Sequence, residues 1–263
     1  MDTQTRLAPA ELYDQLFVPT LFGRFPHLVL DAAEVGRDQA VLDIGCGTGA
    51  AAEAALARVG PGGRVAGVDP KDEMLDVARD KDVPIEWYAG SAEELPLPDG
   101  GFDAVISQFA FMFFEDPPRA LREMVRVLRP GGRIAVSVPD AIDHSPGFCV
   151  LTELLYRRFG PEVAEGFRQP FCGGDPEWLR QVCDEAGLTA ARIERRDESA
   201  RFASAAEFVR AEGSCIWTLG GVLDEGQLQR LADDAEESLA PFRDADGTVT
   251  VALPCLVVTA RAS

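Results

Sequence analysis

The sequence predicts an α/β fold, a parallel sheet with helices on both faces, on three observations. Short apolar strands alternate with amphipathic helices between residues 41 and 138, and such alternation builds parallel strands covered on two sides. The first strand runs into a glycine-rich turn, "VLDIGCGTG", Val41 to Gly49. The second ends on an acid, Asp69, twenty residues past Gly49. Strand, turn, helix, strand and terminal acid in this order make a nucleoside-binding unit.

The elements follow from local pattern. The first forty residues read as helical, with Tyr13, Leu16, Phe17, Leu21 and Phe22 forming an apolar set. Residues 41–44 are a short strand, 50–59 a helix closed by "GPGG", 64–68 a second strand and 72–79 a second helix. Residues 85–89 and 102–107 are the third and fourth strands. Residues 116–128 form a helix with Asp116 as cap and Pro117 in its first turn. Its apolar face is Leu121, Met124, Val125 and Leu128, and "RPGG" stops it. Residues 133–138 are the fifth strand.

The alternation breaks after Pro139. Residues 141–174 hold an amphipathic helix and a Gly/Pro-rich loop, and 175–186 a helix capped by Asp175. Residues 190–199 read as a strand, 204–240 as helix and 249–259 as a closing strand. The whole reads as a single domain: 1–40 a helical N-terminal lid, 41–138 the cofactor-binding core, and 139–263 substrate-facing insertions plus the last two strands.

Composition narrows the partners. A formal net charge of -19 argues against nucleic acid or an anionic membrane surface. Six cysteines form no C-x-x-C pair and match no zinc spacing, so no metal site is expected and the thiols read as reduced. "MDTQTRLAPA" has no apolar signal core and no stretch reaches membrane-spanning length. The expected setting is cytoplasmic, with no membrane partner.

The glycine turn poses a choice of cofactor. Gly45, Gly47 and Ala50 fit the G-x-G-x-x-G/A spacing of dinucleotide sites, but a carboxylate at Asp43 would repel a pyrophosphate. S-adenosylmethionine (SAM) has no phosphate and carries an ammonium, a carboxylate and a sulfonium. Asp43 can hold the ammonium, backbone N–H groups after Gly45 can receive the carboxylate, and Asp69 can accept both ribose hydroxyls. A solvated strand end is the plainer reading of Asp43. Two other functions stay open: an NAD(P)-dependent oxidoreductase, and a SAM-binding enzyme catalysing a non-methylating reaction such as a cyclisation.

"VLDIGCGTG", "GVDP", "GSAEELPLPDGGFDAVIS" and "ALREMVRVLRPGGRIAVSV" together resemble the class I SAM-dependent methyltransferases, nearest to the small-molecule enzymes of ubiquinone and menaquinone biosynthesis. The resemblance covers residues 41–138. It implies a Rossmann-like, doubly wound seven-stranded sheet of order 3-2-1-4-5-7-6 with the last strand antiparallel. It assigns the methionyl end of SAM to Asp43, Gly45, Cys46 and Gly47, and the ribose to Asp69 beside Pro70. Met74 would pack on the adenine, with a core methionine as the alternative. Ser91, Ala92 and Glu93 would serve the adenine edge, Gln108 the methionyl side, and Tyr13 would close over the cofactor carboxylate. The implied reaction is transfer of the methyl group to a hydrophobic small-molecule acceptor by in-line displacement, leaving S-adenosylhomocysteine.

Beyond the cofactor the signals thin out. His144, after the fifth strand, is the candidate base, with a plain loop histidine as the alternative; Tyr156, Glu115 and Glu212 are weaker candidates, and His27 reads as structural. Met112 and Phe113 stand where quinone-pathway relatives can carry histidines. Asp116-Pro117-Pro118 is like the D-P-P-aromatic signature of nucleic-acid amino-methyltransferases, but Arg119 occupies the aromatic position and a helix cap explains the triplet better. Phe148, Tyr156, Phe159, Phe167, Phe171, Phe208 and Trp217 could wall an apolar pocket, suited to an aromatic or polyketide-like metabolite.

Overall fold

Ala40–Ile44 (β1) is buried along its whole length, as a central parallel strand must be. It pairs in parallel with Arg64–Asp69 (β2) on one side and Phe102–Gln108 (β4) on the other. Outside these lie Glu86–Ala89 (β3) and Leu128–Pro139 (β5), also parallel. The computed structural model describes residues 7–262. Residues 1–6, the start of the expected lid and of the stretch read for a leader, lie outside the described residues, as does Ser263.

Period-2 alternation sends β1 side chains into two separate cores. Val41 packs with Val29, Leu30, Ala52, Ala55 and Val59 from helices Pro26–Ala32 and Ala50–Val59. Leu42 and Ile44 belong to the opposite core with Leu121, Met124 and Val127 of helix Pro117–Val127. Asp43 therefore lies on the Val41 face, against the start of Ala50–Val59.

The rest of the sheet is completed from the C-terminal half. Arg192–Arg196 (β6) and Cys255–Arg261 (β9) join it in the order β3-β2-β1-β4-β5-β9-β6. β9 runs antiparallel to both neighbours. Counted within this sheet β9 is the seventh strand, so the expected order 3-2-1-4-5-7-6 holds.

Several elements differ from their expected form. Residues 249–259 are two strands. Val249–Ala252 (β8) pairs with Ser199–Phe202 (β7) in a separate ribbon, and only β9 enters the main sheet. Pro254 between them lacks the N–H a continuous ladder needs, and Leu253 donates its amide to the Glu198 carbonyl. The expected strand 190–199 is accordingly shorter. "RPGG" does not lie in a loop between helix and strand: Leu128 is already extended, and β5 runs through both glycines with a register shift between Phe102 and Ala104 opposite. The 204–240 helix is two helices, Ala205–Ser214 and Glu225–Ser238, with an irregular crossing between them.

The N-terminal segment is a series of short turns. Pro9–Leu12 is followed by a wide π turn, Tyr13–Phe17, then Val18–Thr20 and a 3-10 turn, Phe22–Arg24. Pro19 cannot donate to the carbonyl four residues back and its ring crowds that carbonyl, which favours the widened turn before it. Among the described residues no helix is long and apolar enough to cross a membrane.

Candidate active site

At the end of β1 the chain turns sharply on Gly45, φ +69°, and Gly47, φ +53°. A Cβ at Gly45 would lie 2.4 Å from that of Ala110, whereas one at Gly47 would meet nothing within 4 Å. Gly45 is thus required by packing, and Gly47 leaves its face open to a cleft. That cleft, of about 770 Å³, is lined by Asp43, Gly45, Cys46, Gly47, Asp69, Pro70 and Gln108 from the strand ends. Tyr13, Phe22 and Trp217 close it from outside the sheet.

The polar groups of the cleft show what it can hold. Asp43 Oδ2 and Gln108 Oε1 are buried acceptors with no hydrogen-bond donor. Burial, and then the charge of Asp69, pushes the Asp43 carboxyl up to about 7, against one amide at Ala52. Two orphan acceptors, one a carboxylate, fit a ligand that brings N–H donors and positive charge; they do not fit a pyrophosphate. The ammonium of SAM meets that requirement.

The turn amides are spent differently from the expectation. Gly45 and Cys46 donate to the Val68 carbonyl at 2.8 and 3.1 Å, and Gly47 donates to Asp69 Oδ2 at 2.8 Å. Ala50 and Ala51 also line the cleft. They are the first two helical residues, whose amides have no intrahelical acceptor, and these suit a ligand carboxylate. Asp69 Oδ1 takes the Lys71 amide at 2.9 Å, so each Asp69 oxygen keeps one lone pair for a ribose hydroxyl. Burial raises the Asp69 carboxyl, and the two amides oppose it. Phe109, which follows Gln108, is held at φ +52° and lines the same cleft, a strained backbone of the kind found at binding sites.

A second, apolar cavity of about 450 Å³ adjoins the cleft, with Phe22, Phe113 and Trp217 bordering both. Phe17, Phe148, Phe167 and Phe171 form much of its wall, and Glu212 is its one carboxylate. Tyr13 stacks on Phe17, ring centroids 5.2 Å apart, and takes Trp217 edge-on at 5.3 Å. The N-terminal turns therefore contribute to both spaces. Trp217 is a hinge of the arrangement that no motif marks; its neighbourhood to Tyr13 exists only through the fold.

Of the residues singled out in the sequence, Tyr13, Asp43, Gly45, Cys46, Gly47, Asp69, Pro70 and Gln108 come together around the cleft. Met74, Ser91, Ala92 and Glu93 do not line it. Met74 is fully buried in the core. Ser91 bridges to Glu94, and Glu93 Oε1 accepts from the amides of Glu115 and Asp116 at 2.9 and 3.3 Å, joining two loops. His144 lines neither space. Its Nδ1 lies 2.8 Å from Asp140 Oδ2 while 56% of the side chain is exposed. Asp140 also accepts from Arg195 Nε at 2.7 Å, an arrangement that ties β5 to β6. Of the expected aromatic wall, Phe148, Phe167, Phe171 and Trp217 reach the cavity; Tyr156, Phe159 and Phe208 do not line it. Asp116 caps its helix, accepting from the Arg119 amide at 3.0 Å. Cys172 is exposed, unlike the buried Cys46, Cys183, Cys215 and Cys255.

Sheet order, glycine turn and terminal acid define the Rossmann-like fold of the class I SAM-dependent methyltransferases. The chain carries a methyltransferase domain: residues 42–136 match the family of that description, and SAM is the cofactor the domain implies. A 37.1 kDa protein of a transposon in Streptomyces fradiae is 36% identical over 130 residues, 48% of this chain and 38% of that protein. A demethylmenaquinone methyltransferase of Chlorobaculum parvum is 36% identical over 131 residues, 50% of this chain and 53% of that enzyme. The matched region thus spans about half or less of these relatives. A SAM-dependent methyltransferase from Aquifex aeolicus, 18% identical, superimposes with a TM-score of 0.56 over 98% of this chain and 100% of its own, a likeness of fold.

Proposed function

We propose that the protein transfers the methyl group of SAM to a hydrophobic small-molecule acceptor seated in the Phe-lined cavity. The observation that carries this reading is the buried, donor-less Asp43 Oδ2 in a cleft that shares Phe22, Phe113 and Trp217 with an adjoining apolar cavity. When bound, SAM supplies an activated methyl on a sulfonium, which needs little chemical help from the protein. Asp43 and Gln108 hold the amino group, the Ala50 and Ala51 amides the carboxylate, and Asp69 the ribose. Tyr13, Phe22 and Trp217 exclude water and fix the direction from which an acceptor approaches. The N-terminal turns act as the lid.

The relatives named as demethylmenaquinone methyltransferases support an apolar, ring-bearing acceptor, as does the aromatic wall. Titration calorimetry with SAM, S-adenosylhomocysteine, NAD and NADP tests the cofactor assignment: the first two should bind and the dinucleotides should not. Dinucleotide binding without a SAM signal would falsify the reading. Formation of S-adenosylhomocysteine in the presence of apolar hydroxylated acceptors tests the transfer itself, and separates it from a non-methylating use of SAM.

A further inference from the structure

The apolar cavity contains a carboxylate that binding of SAM does not explain. Glu212 sits in the last turn of helix Ala205–Ser214 and is 2% exposed. Among the described residues no cation lies within 4.0 Å of it. Its side chain has one hydrogen-bond partner, Thr218 Oγ1, which donates to Oε2 at 3.0 Å. That hydroxyl has a single proton and two other acceptors in reach, the carbonyls of Glu212 at 3.1 Å and Cys215 at 3.4 Å. A carboxylate so placed is destabilising relative to an apolar side chain of similar size, and the negative end of its own helix adds to the cost. Structure alone gives no return for that cost: Glu212 caps no helix and bridges no elements.

We infer that Glu212 is the proton acceptor for the acceptor's nucleophilic oxygen, a phenolic or enolic hydroxyl on an otherwise apolar molecule in the cavity beside the methyl-donor cleft. The inference rests on the methyl-transfer reading and names its acceptor class. Beyond Glu212 the polar side-chain groups of this cavity are the Thr218 hydroxyl, the Cys215 thiol and the Trp217 indole N–H. An ammonium acceptor would bring up to three N–H donors and find a single carboxylate; a hydroxyl brings one proton and finds one taker. The balance is simple. The O–H proton goes to a Glu212 oxygen, the oxygen bonds to the methyl carbon, and the carbon–sulfur bond breaks with its pair left on sulfur. A sulfonium, an alcohol and a carboxylate become a thioether, an ether and a carboxylic acid, and the acid later loses its proton to water.

The titrating surroundings are consistent with this role. Burial pushes Glu212 up to about 8, with Thr218 opposing, which brings it nearer to a phenol than an ordinary carboxylate and makes it the better base for one. The titratable group facing it is the Cys215 thiol, itself pushed up to about 12 by burial and by Glu212, with Tyr13 beyond Cys215. On the elements packed against its helix, Asp14 pairs with Lys81, Arg201 with Asp246, Asp234 with Arg158 and Glu236 with Arg243, while Glu225, Arg230, Asp233 and Glu237 are exposed.

The test uses the full chain and Glu212→Gln, which keeps the shape and the Thr218 contact. The first readout needs no cofactor. 4-Nitrophenol is titrated into each protein at about pH 9, where the free phenol and Glu212 are both ionised, and proton uptake on binding is read by calorimetry in buffers of different ionisation enthalpy. The expected result is uptake of about one proton by the wild type, held by Glu212 beside the bound phenolate, and none by Glu212→Gln. No uptake in the wild type, or equal uptake in the variant, overturns the inference. The second readout is methyl transfer to phenols. Glu212→Gln should lower kcat/KM by about 10²–10³-fold, abolish the rise of kcat/KM with pH through about 8, and leave SAM affinity within about twofold. An equal pH profile in both proteins, or turnover of amines in preference to phenols, also overturns it. Should the wild type form no S-adenosylhomocysteine with any acceptor, the methyl-transfer reading falls by itself, and proton uptake with nitrophenol still decides whether Glu212 holds the proton beside a bound phenolate.

Discussion

Lys81 Nζ lies 2.7 Å from Asp14 Oδ1 and joins the N-terminal turns to the nucleotide-binding core. The same ammonium donates to Glu53 Oε1 and to the Thr48 carbonyl, each at 2.9 Å. Burial works against its charge, but the hydrogen bonds to Asp14 and Glu53 prevail and raise its pKa. Three acceptors from three parts of the chain thus depend on one residue, next to the turn that would receive SAM.

Replacing Lys81 by Met should therefore loosen the lid without unfolding the sheet. Loss of the charge-assisted bonds costs about 1–3 kcal/mol. Part of it should appear as weaker SAM binding, roughly three- to tenfold, and part as faster proteolysis within residues 7–24. Calorimetry with S-adenosylhomocysteine and timed protease digestion measure the two. A variant with unchanged affinity and unchanged digestion would make the segment a fixed wall rather than a lid.

Asp43→Asn should separate stability from binding. With a folded-state value of about 7 against an ordinary 3.8, the folded protein keeps a proton that the unfolded chain has released between those values. The contribution of Asp43 to stability is full below about 3.8, falls as pH rises, and levels off above about 7. The stability of Asp43→Asn relative to wild type should grow across that window by an amount of order a few kcal/mol. At the same time SAM affinity should drop at least about tenfold, because the ammonium loses its counter-charge. Denaturant melts at pH 4 to 8, paired with titrations, check both signs; a pH-independent stability difference would remove the buried-carboxylate account.

Asp69→Ala should weaken SAM at least about tenfold, since each hydrogen bond to a charged acceptor contributes roughly 1.5–3 kcal/mol. The alanine also frees the Gly47 and Lys71 amides, so lost affinity alone is ambiguous. The decisive comparison uses S-adenosylhomocysteine and its analogue lacking the ribose hydroxyls. Wild type should lose affinity for the analogue and Asp69→Ala should bind the two alike. A further loss in the variant would place the ribose elsewhere.

The glycines of the turn predict a contrast. Both Gly45→Ala and Gly47→Ala pay about 1 kcal/mol for a positive φ. Gly45→Ala also drives a methyl into Ala110 at 2.4 Å and should lower Tm by several degrees. Gly47→Ala places its methyl in open space; it should melt closer to wild type yet bind SAM more weakly. Similar Tm losses with similar affinities would contradict the assignment of the open face to the ligand.

The cofactor half was legible in the sequence because its determinants are local. Val41, Leu42 and Ile44 mark a buried strand, Gly45 and Gly47 a turn needing positive φ, and Asp69 an acid a fixed distance along one strand–helix–strand unit. Those short-range patterns pick out Asp43, Gly45, Gly47 and Asp69, which the structure brings around one cleft; the strand order followed from the family resemblance. What required the tertiary structure depends on long-range contacts. Pro254 signals a break, but not that Val249–Ala252 would leave the sheet to pair with Ser199–Phe202. No local pattern brings Asp14, Glu53 and Thr48 together on Lys81. Trp217 meets Tyr13 across some two hundred residues of chain, and Glu212, a weaker candidate base in the sequence, stands out from Tyr156 and Glu115 only once its helix packs against the N-terminal turns. Burial, which gives that carboxylate its altered proton affinity, is a property of what surrounds a residue in space, and no local pattern encodes it.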